Sequence, residues 1–396
     1  LAATGEGFRQ GNEKVLRELG RNIGIVWGGR TSLQAGGERA GREIRLTVDD
    51  ARALAAESSL IEVVSPELER GGVRVKSAYN AATARVTGVE PPYQQIRTIE
   101  LEYGRLLSWQ DEADVARVAL LGHDIAEQLF GRRHSLGDVI SINGVRYIVA
   151  GKLRKKEQDS NYNGPDNGKI FVPFAAMQRD LPRRDAPAGT VSDIIISPRQ
   201  AVVDDLPRAL DQRTGRIEDI DWPLERHVRS ILARRHQFSP DDRQAIQMWD
   251  TSLETLMFGR MIAHMKSFFS LVGVVTLALG GIGVMNIMLV AVKERTREIG
   301  VRKALGATTG AIQRQFFLEG FFLTIVSGGV GAAIALGLCE LVNLAPLPTR
   351  FAGMILSWQA ATLALATLVA IGIATSTYPA RRAAALPPVE ALRFEM

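Results

Sequence analysis

The sequence predicts a membrane α-helical bundle joined by helical stalks to an α+β domain outside the membrane. Three observations carry that prediction. Charge and apolarity are segregated: the first two-thirds of the 396-residue chain are rich in charge, and the last third holds the long apolar runs. Phe268–Val292 contains no charged residue over about 25 positions, roughly what a helix needs to cross a ~30 Å hydrocarbon core. The run stops at Lys293, and Arg295, Arg297, Arg302 and Lys303 follow closely, an asymmetry that marks the cytoplasmic side of a span.

The elements follow in order. Phe8, Asn12, Val15, Leu16 and Leu19 recur at helical spacing, which predicts a stalk helix over Gly5–Leu19 (domain limits 1–21), closed by Gly20. Asn22–Trp27 reads as a strand and Gly28–Gly41 as a Gly-rich turn or loop. Thr47 offers an acceptor side chain at the start of a helix over Asp49–Glu57. Ile61–Ser65, Gly72–Ser77 and Ala84–Gly88 read as strands of a small α+β domain. His123–Phe130 reads as a helix stopped by Gly131, and Asn143-Gly144 between Ile140–Ile142 and Val145–Val149 is a hairpin signal. Lys155–Lys169 is polar and rich in Asn, Gly and Pro, which predicts a loop tip. Val191–Ser197 returns as a strand and Asp204–Arg213 as a helix. Ser239-Pro240-Asp241-Asp242 combines an N-cap, a first-turn proline and first-turn acids. It predicts the second stalk, 239–266, carrying Trp249, Leu253, Leu256, Met257, Ile262 and Met265 toward the membrane.

Beyond the span at 267–292, residues 293–315 predict a short amphipathic helix. Glu294 and Glu298 alternate with its bases, and Ile299, Val301 and Leu305 keep an apolar stripe. Phe316–Ala345 and Trp358–Tyr378 are further spans. Small residues recur in all three: Gly280, Gly281 and Gly283, then Gly328, Gly329, Ala332, Ala333 and Gly337, then Ala366, Ala370 and Ala374. They let helices approach closely, either within one chain or between two copies. The connection Leu344–Ser357 carries only Arg350, whereas Arg381, Arg382 and Arg393 follow the last span. That bias places the tail 379–396 in the cytoplasm and residue 1 outside, so a first span is expected upstream.

Several chemistries are absent. The net charge of +5 comes with no basic–aromatic repeat for nucleic acid. Cys339 is the one cysteine, inside an apolar helix where a buried thiol is expected; it excludes an intrachain disulfide and a cysteine-cluster metal site. Gly164–Lys169 is one residue short of a P-loop and is followed by Ile170. Asp159, Asn161, Asn163 and Gly164 match half of a calcium loop, whose twelfth position falls on Ile170 where a glutamate is needed. Leu121-Gly122-His123 lacks the serine of a nucleophile elbow, and His123 and His134 are expected on exposed faces. No catalytic residue, metal site or cofactor of its own is expected in this chain.

The run Gly280–Ala307, GGIGVMNIMLVAVKERTREIGVRKALGA, resembles the second membrane helix and coupling segment of the MacB-like ABC permeases. Tyr378–Glu395 is similar to that family's C-terminal signature, and Thr87–Asp111 with Val118–Leu153 to its extracytoplasmic core domain. The resemblance implies four spans, of which the last three are present here. It implies an external domain in which a Sabre subdomain (95–187) is inserted into a two-part Porter subdomain (22–94 and 188–238). ATP and Mg would bind a partner ATPase, on a separate chain or a fused upstream domain. The family's coupling loop docks on that ATPase, which maps here to Glu294, Arg295, Arg297, Glu298, Ile299, Arg302, Lys303, Leu305 and Gly306. The resemblance further implies an inner-membrane homodimer that exports by mechanotransmission through a membrane-fusion adaptor and an outer-membrane duct. FtsX-like regulators of cell-wall hydrolases and Lol-like lipoprotein-releasing permeases share the architecture and form the alternative.

Overall fold

The computed structural model describes residues 2–19, 22–156, 163–183, 186–211, 222–348 and 351–387. Gly20, Asp159, Asn161, Arg213, Arg350 and Arg393, singled out above, lie outside the described residues. The chain divides into two compact units, one of Glu13–Phe258 and one of Leu1–Asn12 with Gly259–Met396.

The larger unit is built on one mixed sheet. Its strands are β1 (Gly24–Gly28), β2 (Ile61–Lys76), β3 (Ala81–Val89), β4 (Leu101–Gly104), β5 (Val118–Leu121), β6 (Val139–Ile142), β7 (Val145–Leu153), β8 (Lys169–Pro173), β9 (Asp193–Pro198) and β10 (Ile246–Asp250). Their spatial order is β10-β1-β9-β2-β3-β8-β5-β7-β4, with β6 paired to β2 and β7. Strands from residues 95–187 therefore lie together at one end, and those from the flanking sequence at the other. Side chains alternate across the sheet and sort into two cores. Val26, Ile194 and Ile196 join Leu54, Phe174 and Leu232 in one; Ile25 and Ile195 join Tyr93, Ile96 and Phe171 in the other. The helices of this unit are α2 (Val48–Glu57), α3 (Pro91–Ile96), α4 (Trp109–Ala113), α5 (His123–Phe130), α6 (Phe174–Asp180), α7 (Gln200–Asp211) and α8 (Pro223–His236). α1 (Ala2–Leu19) precedes them.

Three local signals hold, each with its partner close in sequence. Thr47 caps α2, and Asp50 returns the bond to the Thr47 N–H, a complete capping box. Asn143 and Gly144 both take positive φ, 49° and 91°, as a tight hairpin of this hand requires. Gly131 closes α5 at φ 64°.

Several expectations are corrected. Ile61–Ser65 and Gly72–Ser77 are halves of one 16-residue strand, β2, whose register against β3 shifts between Arg70 and Val73. The one extra residue at Gly71-Gly72 is absorbed as a bulge, so the strand continues through it. The expected loop tip Lys155–Lys169 is not wholly solvated, because Asp166, Asn167 and Lys169 are buried. His123 is half-buried between Glu102 and Glu127, at 3.6 and 3.3 Å, rather than on an open face. Finally, Ser239–Asp242 does not start a helix. The chain turns there, adds strand β10, which carries Trp249, and only then begins α9 (Thr251–Glu294). Asp242 spends its carboxylate elsewhere: it accepts Ser32 N–H at 2.6 Å, Ser32 Oγ–H at 2.7 Å and Leu33 N–H at 2.9 Å.

The smaller unit holds most of α9, then α10 (Thr296–Ala304), α11 (Thr309–Asn343) and α12 (Trp358–Ala385). Among the described residues α9, α11 and α12 are long and apolar enough to cross a membrane. α11 begins seven residues before Phe316, because Thr308 caps it by accepting Ala311 N–H at 3.2 Å. Cys339 is half-exposed within this chain rather than buried.

Candidate functional site

α10 is the element on which the sequence places function, and its two faces differ. An α-helix turns about 100° per residue, so positions four apart share a face and positions six apart diverge by about 120°. Thr296, Ile299 and Gly300 are buried. Ile299 is 1% exposed and packs with Met288, Val292, Ile312, Phe316, Ala380 and Ala383. Arg297, Val301 and Leu305 point the other way, and Leu305 is 84% exposed. Of the positions that the resemblance maps onto the ATPase contact, Ile299 is taken up by the bundle's own core, whereas Leu305 is not.

The charges are also largely engaged within the chain. Arg295 sits at the one-residue break between α9 and α10 and pairs with Glu319 of α11 at 3.1 Å. Glu298 pairs with Arg302 one turn on, and Arg302 donates to Gln315 Oε1 at 2.8 Å. Lys303 donates to the carbonyls of Ala384 and Leu386 at the end of α12. Glu294 and Arg297 remain on exposed positions.

The helix end is tightly specified. Ala307 N–H donates to Arg302 O and Gly306 N–H to Lys303 O, with Gly306 at φ 102°. This is a Schellman closure, which needs a left-handed residue where only glycine is free of strain. Leu305 thus occupies a fixed corner directly before Thr308 caps α11.

The small residues divide. A Cβ on Gly281 would meet Ile371 at 2.6 Å and Thr375 at 2.8 Å, and one on Gly328 would meet Leu368 at 2.3 Å. These two hold α9 and α11 close to α12. Gly320, against Ser376 at 2.9 Å, and Gly372, against Thr324 at 3.1 Å, do the same and were not singled out from sequence. Gly280, Gly283 and Gly337 have nothing within 4 Å inside this chain, and Ala332 is exposed.

Two further sets of contacts bear on the stalks. In the smaller unit Lys266 donates to Glu6 at 2.8 Å and Gln10 donates to it at 3.1 Å, while Gly7 packs on the Gly353 carbonyl. Hydrogen bonds from Arg9 and Lys266 hold the Glu6 carboxyl at about 2, below the usual carboxylate range. In the larger unit β10 pairs with β1 in register, Gly24 opposite Asp250. Thr251 then locks the start of α9 to the end of that pair: its N–H donates to Ile23 O at 2.9 Å, and its Oγ accepts Ile23 N–H at 2.8 Å. Trp222 Nε1 donates to Asp250 at 2.7 Å, fastening α8 to the same point. Among the described residues no cluster of His, Cys, Asp and Glu could hold a metal ion.

Residues 1–212, more than half of the chain, match the family model described as the MacB-like periplasmic core domain. The chain belongs to the MacB-like ABC permeases. Residues 270–388 of this permease match the model of the FtsX-like permease C-terminal region. It is 30% identical over its full length to the macrolide export ATP-binding/permease protein MacB of Bdellovibrio bacteriovorus, covering 57% of that protein. It is 29% identical to the uncharacterized ABC transporter permease YknZ of Bacillus subtilis, covering all of this chain and 91% of that one. The permease thus spans little more than half the length of the MacB relatives and nearly the whole of YknZ. The crystal structure of the periplasmic region of MacB from Actinobacillus actinomycetemcomitans aligns over 63% of this chain and 95% of that one, at 16% identity and a TM-score of 0.43. The architecture is that of an inner-membrane protein with an extracytoplasmic domain.

Proposed function

We propose that this permease is the membrane subunit of an ATP-driven MacB-type efflux system and exports by mechanotransmission. A partner ATPase, separate or fused, binds ATP and Mg and docks on the outward face of α10, with Arg297, Val301 and Leu305 as the contact. Two copies work together, with Gly280, Gly283, Ala332 and Gly337 free to serve their mutual packing. The external domain, divided into Porter (22–94 and 188–238) and Sabre (95–187), drives substrate through an adaptor and an outer-membrane duct. The tail is cytoplasmic.

The observation that carries this reading is α9. It is a single helix of 44 residues that runs from the strand pair β1–β10 to the break at Arg295. Its backbone hydrogen bonds are internal, so it can pass displacement along its axis. A regulatory role of the FtsX-like or Lol-like kind receives less support, since residues 1–212 match the MacB-like periplasmic core domain.

Softening α9 tests the mechanism. Met261, Ala263 and His264 are exposed, so glycine at all three removes little packing. Each glycine weakens the helix by roughly 0.5–1 kcal/mol relative to a better helix former. ATP hydrolysis by the complex is expected to persist while export falls to background. Normal export would overturn the mechanical reading, and loss of hydrolysis would assign the segment to assembly.

Orientation has its own test. In a Cys339→Ala background, Gln34→Cys is expected to react with an impermeant maleimide on spheroplasts, and Arg297→Cys only after lysis. Both positions are exposed, whereas the neighbouring Thr296 is buried and would report poorly. The reverse pattern would invert the topology.

A further inference from the structure

We propose that Lys303 is a positioning residue that latches the coupling helix to the cytoplasmic end of the last membrane helix, not a contact to the ATPase. The proposal rests on the reading of α10 as the coupling helix and goes beyond it by naming the route of the transmitted motion. Lys303 lies four residues after Ile299, on the buried face of α10. Its ammonium donates to Leu386 O at 2.9 Å and to Ala384 O. Ala384 lies in the last turn of α12 and Leu386 is its C-cap, where no helical N–H remains to pair with the carbonyls and the helix dipole is negative. A lysine there satisfies both needs at once. Ile299 shares a buried apolar cluster with Ala380 and Ala383 of α12, both fully buried.

The consequence is a branched linkage. α10 follows α9 across the Arg295 break and leads through the Gly306 turn into α11. Those two links are covalent. α12 has no such link to α10, so a displacement of α10 reaches it through the packing of α9 and α11 on α12, and directly only through Lys303 and the apolar cluster around Ile299. The latch makes all three membrane helices respond to one event at Leu305. It also accounts for a lysine on a face that is otherwise Thr, Ile and Gly: an alanine there would pack, but the α12 carbonyls would lose their donor.

The test reads the end of α12 directly, in the full permease. In a Cys339→Ala background, a cysteine at Ala384, a residue only 3% exposed, reports whether that end is closed. With Lys303 intact, maleimide labelling of Ala384→Cys is expected to be slow. Lys303→Ala should raise the rate about five- to ten-fold, the effect of losing a charged cap at a helix C-terminus. Lys303→Arg, which keeps the charge and the donors, should restore most of the protection. If Lys303→Ala does not reach the membrane, Lys303→Gln serves the same purpose. A second readout separates latch from docking: with the ATPase co-expressed, Lys303→Ala should leave its co-purification unchanged while export falls. Equal labelling rates in all variants would overturn the latch. Unchanged labelling with loss of the ATPase would return Lys303 to the docking face. If no ATPase co-purifies even with the unaltered chain, the transport reading fails, while the labelling still decides the latch.

Discussion

Replacing Leu305 with aspartate is expected to abolish ATP-dependent export and strip the ATPase from the purified complex, while the permease still inserts and folds. The expectation follows from two facts about one corner. Leu305 is 84% exposed, so within this chain its loss removes little packing. It is nonetheless fixed in place by the Gly306 turn and the Thr308 cap. An ordered, uncovered leucine at the end of a base-rich helix is a suitable anchor for a partner. Burying such a side chain stabilises a complex by about 1.5–3 kcal/mol, and an aspartate forced into the same pocket without a partner adds a desolvation penalty of similar size or more. Together they predict an affinity loss of at least roughly a hundred-fold. The contrast is Ile299→Asp, which should prevent accumulation of the protein altogether, because Ile299 sits in the bundle core. ATPase bound equally to Leu305→Asp and to the unaltered permease would remove α10 from the docking surface.

Asp166→Ala is expected to destabilise the extracytoplasmic domain by about 3–5 kcal/mol, the usual cost of stripping one partner from a buried ion pair. That is a large part of the ~5–15 kcal/mol by which a domain is typically stable. Asp166 is fully buried and accepts both oxygens' worth of contact from Arg97, at 3.0 and 3.2 Å. Lys156 stands at 3.2 Å and Lys169 at 3.7 Å from the same carboxylate. Burial works to raise the Asp166 carboxyl, and the Arg97, Lys156 and Lys169 charges override it, holding the group well below the usual carboxylate range. The folded state therefore binds fewer protons here than the unfolded chain. The associated stability is complete above the ordinary value of 3.8 and is lost only as pH falls below it. Asp166→Ala should thus lower the denaturation midpoint by a constant amount between about pH 5 and 8, an effect that shrinks in stronger acid. Tryptophan fluorescence of the full chain in detergent reads it, since Trp27, Trp222 and Trp249 lie in this unit. A change below about 1 kcal/mol would mean that water reaches the cluster and screens it.

Asp166 also marks where reading from sequence stops. The stretch Lys155–Lys169 has the composition of a solvated tip, and composition describes residues one at a time. Whether a carboxylate there meets water or three cations depends on Arg97, about 70 residues away, and on strands that close around both. Asp242 teaches the same lesson from the other side. A carboxylate in Ser-Pro-Asp-Asp is an acceptor in search of N–H donors, and the nearest candidates are those of a helix beginning there. The fold instead supplies the N–H groups of Ser32 and Leu33, about 210 residues upstream. The helix start moves to Thr251, and a strand that no local pattern announced takes its place beside β1. β10 has only five residues, Ile-Gln-Met-Trp-Asp, too few for alternation to separate it from the helix that follows.

By itself the sequence determined whatever depends on near neighbours or on bulk solvent preference. That includes the three apolar helices, the capped α2, the Asn143-Gly144 hairpin and the family to which the chain belongs. The helices, the cap and the hairpin rest on a hydropathy run, a cap or a turn whose partners lie within a few residues, and the family on the resemblance carried by Gly280–Ala307 and Tyr378–Glu395. Only the tertiary structure decided which way each side chain of α10 faces, which glycines meet a neighbouring helix, and how the start of α9 is tied to the sheet. A helix pattern states that Ile299, Val301 and Leu305 are apolar, but the bundle around them assigns Ile299 to its own core and leaves Leu305 uncovered. The physical reason is that burial and pairing are properties of both partners. The second partner in every such case, Ala383 for Ile299, Leu386 for Lys303 and Ile23 for Thr251, comes from a distant part of the chain that only folding brings near.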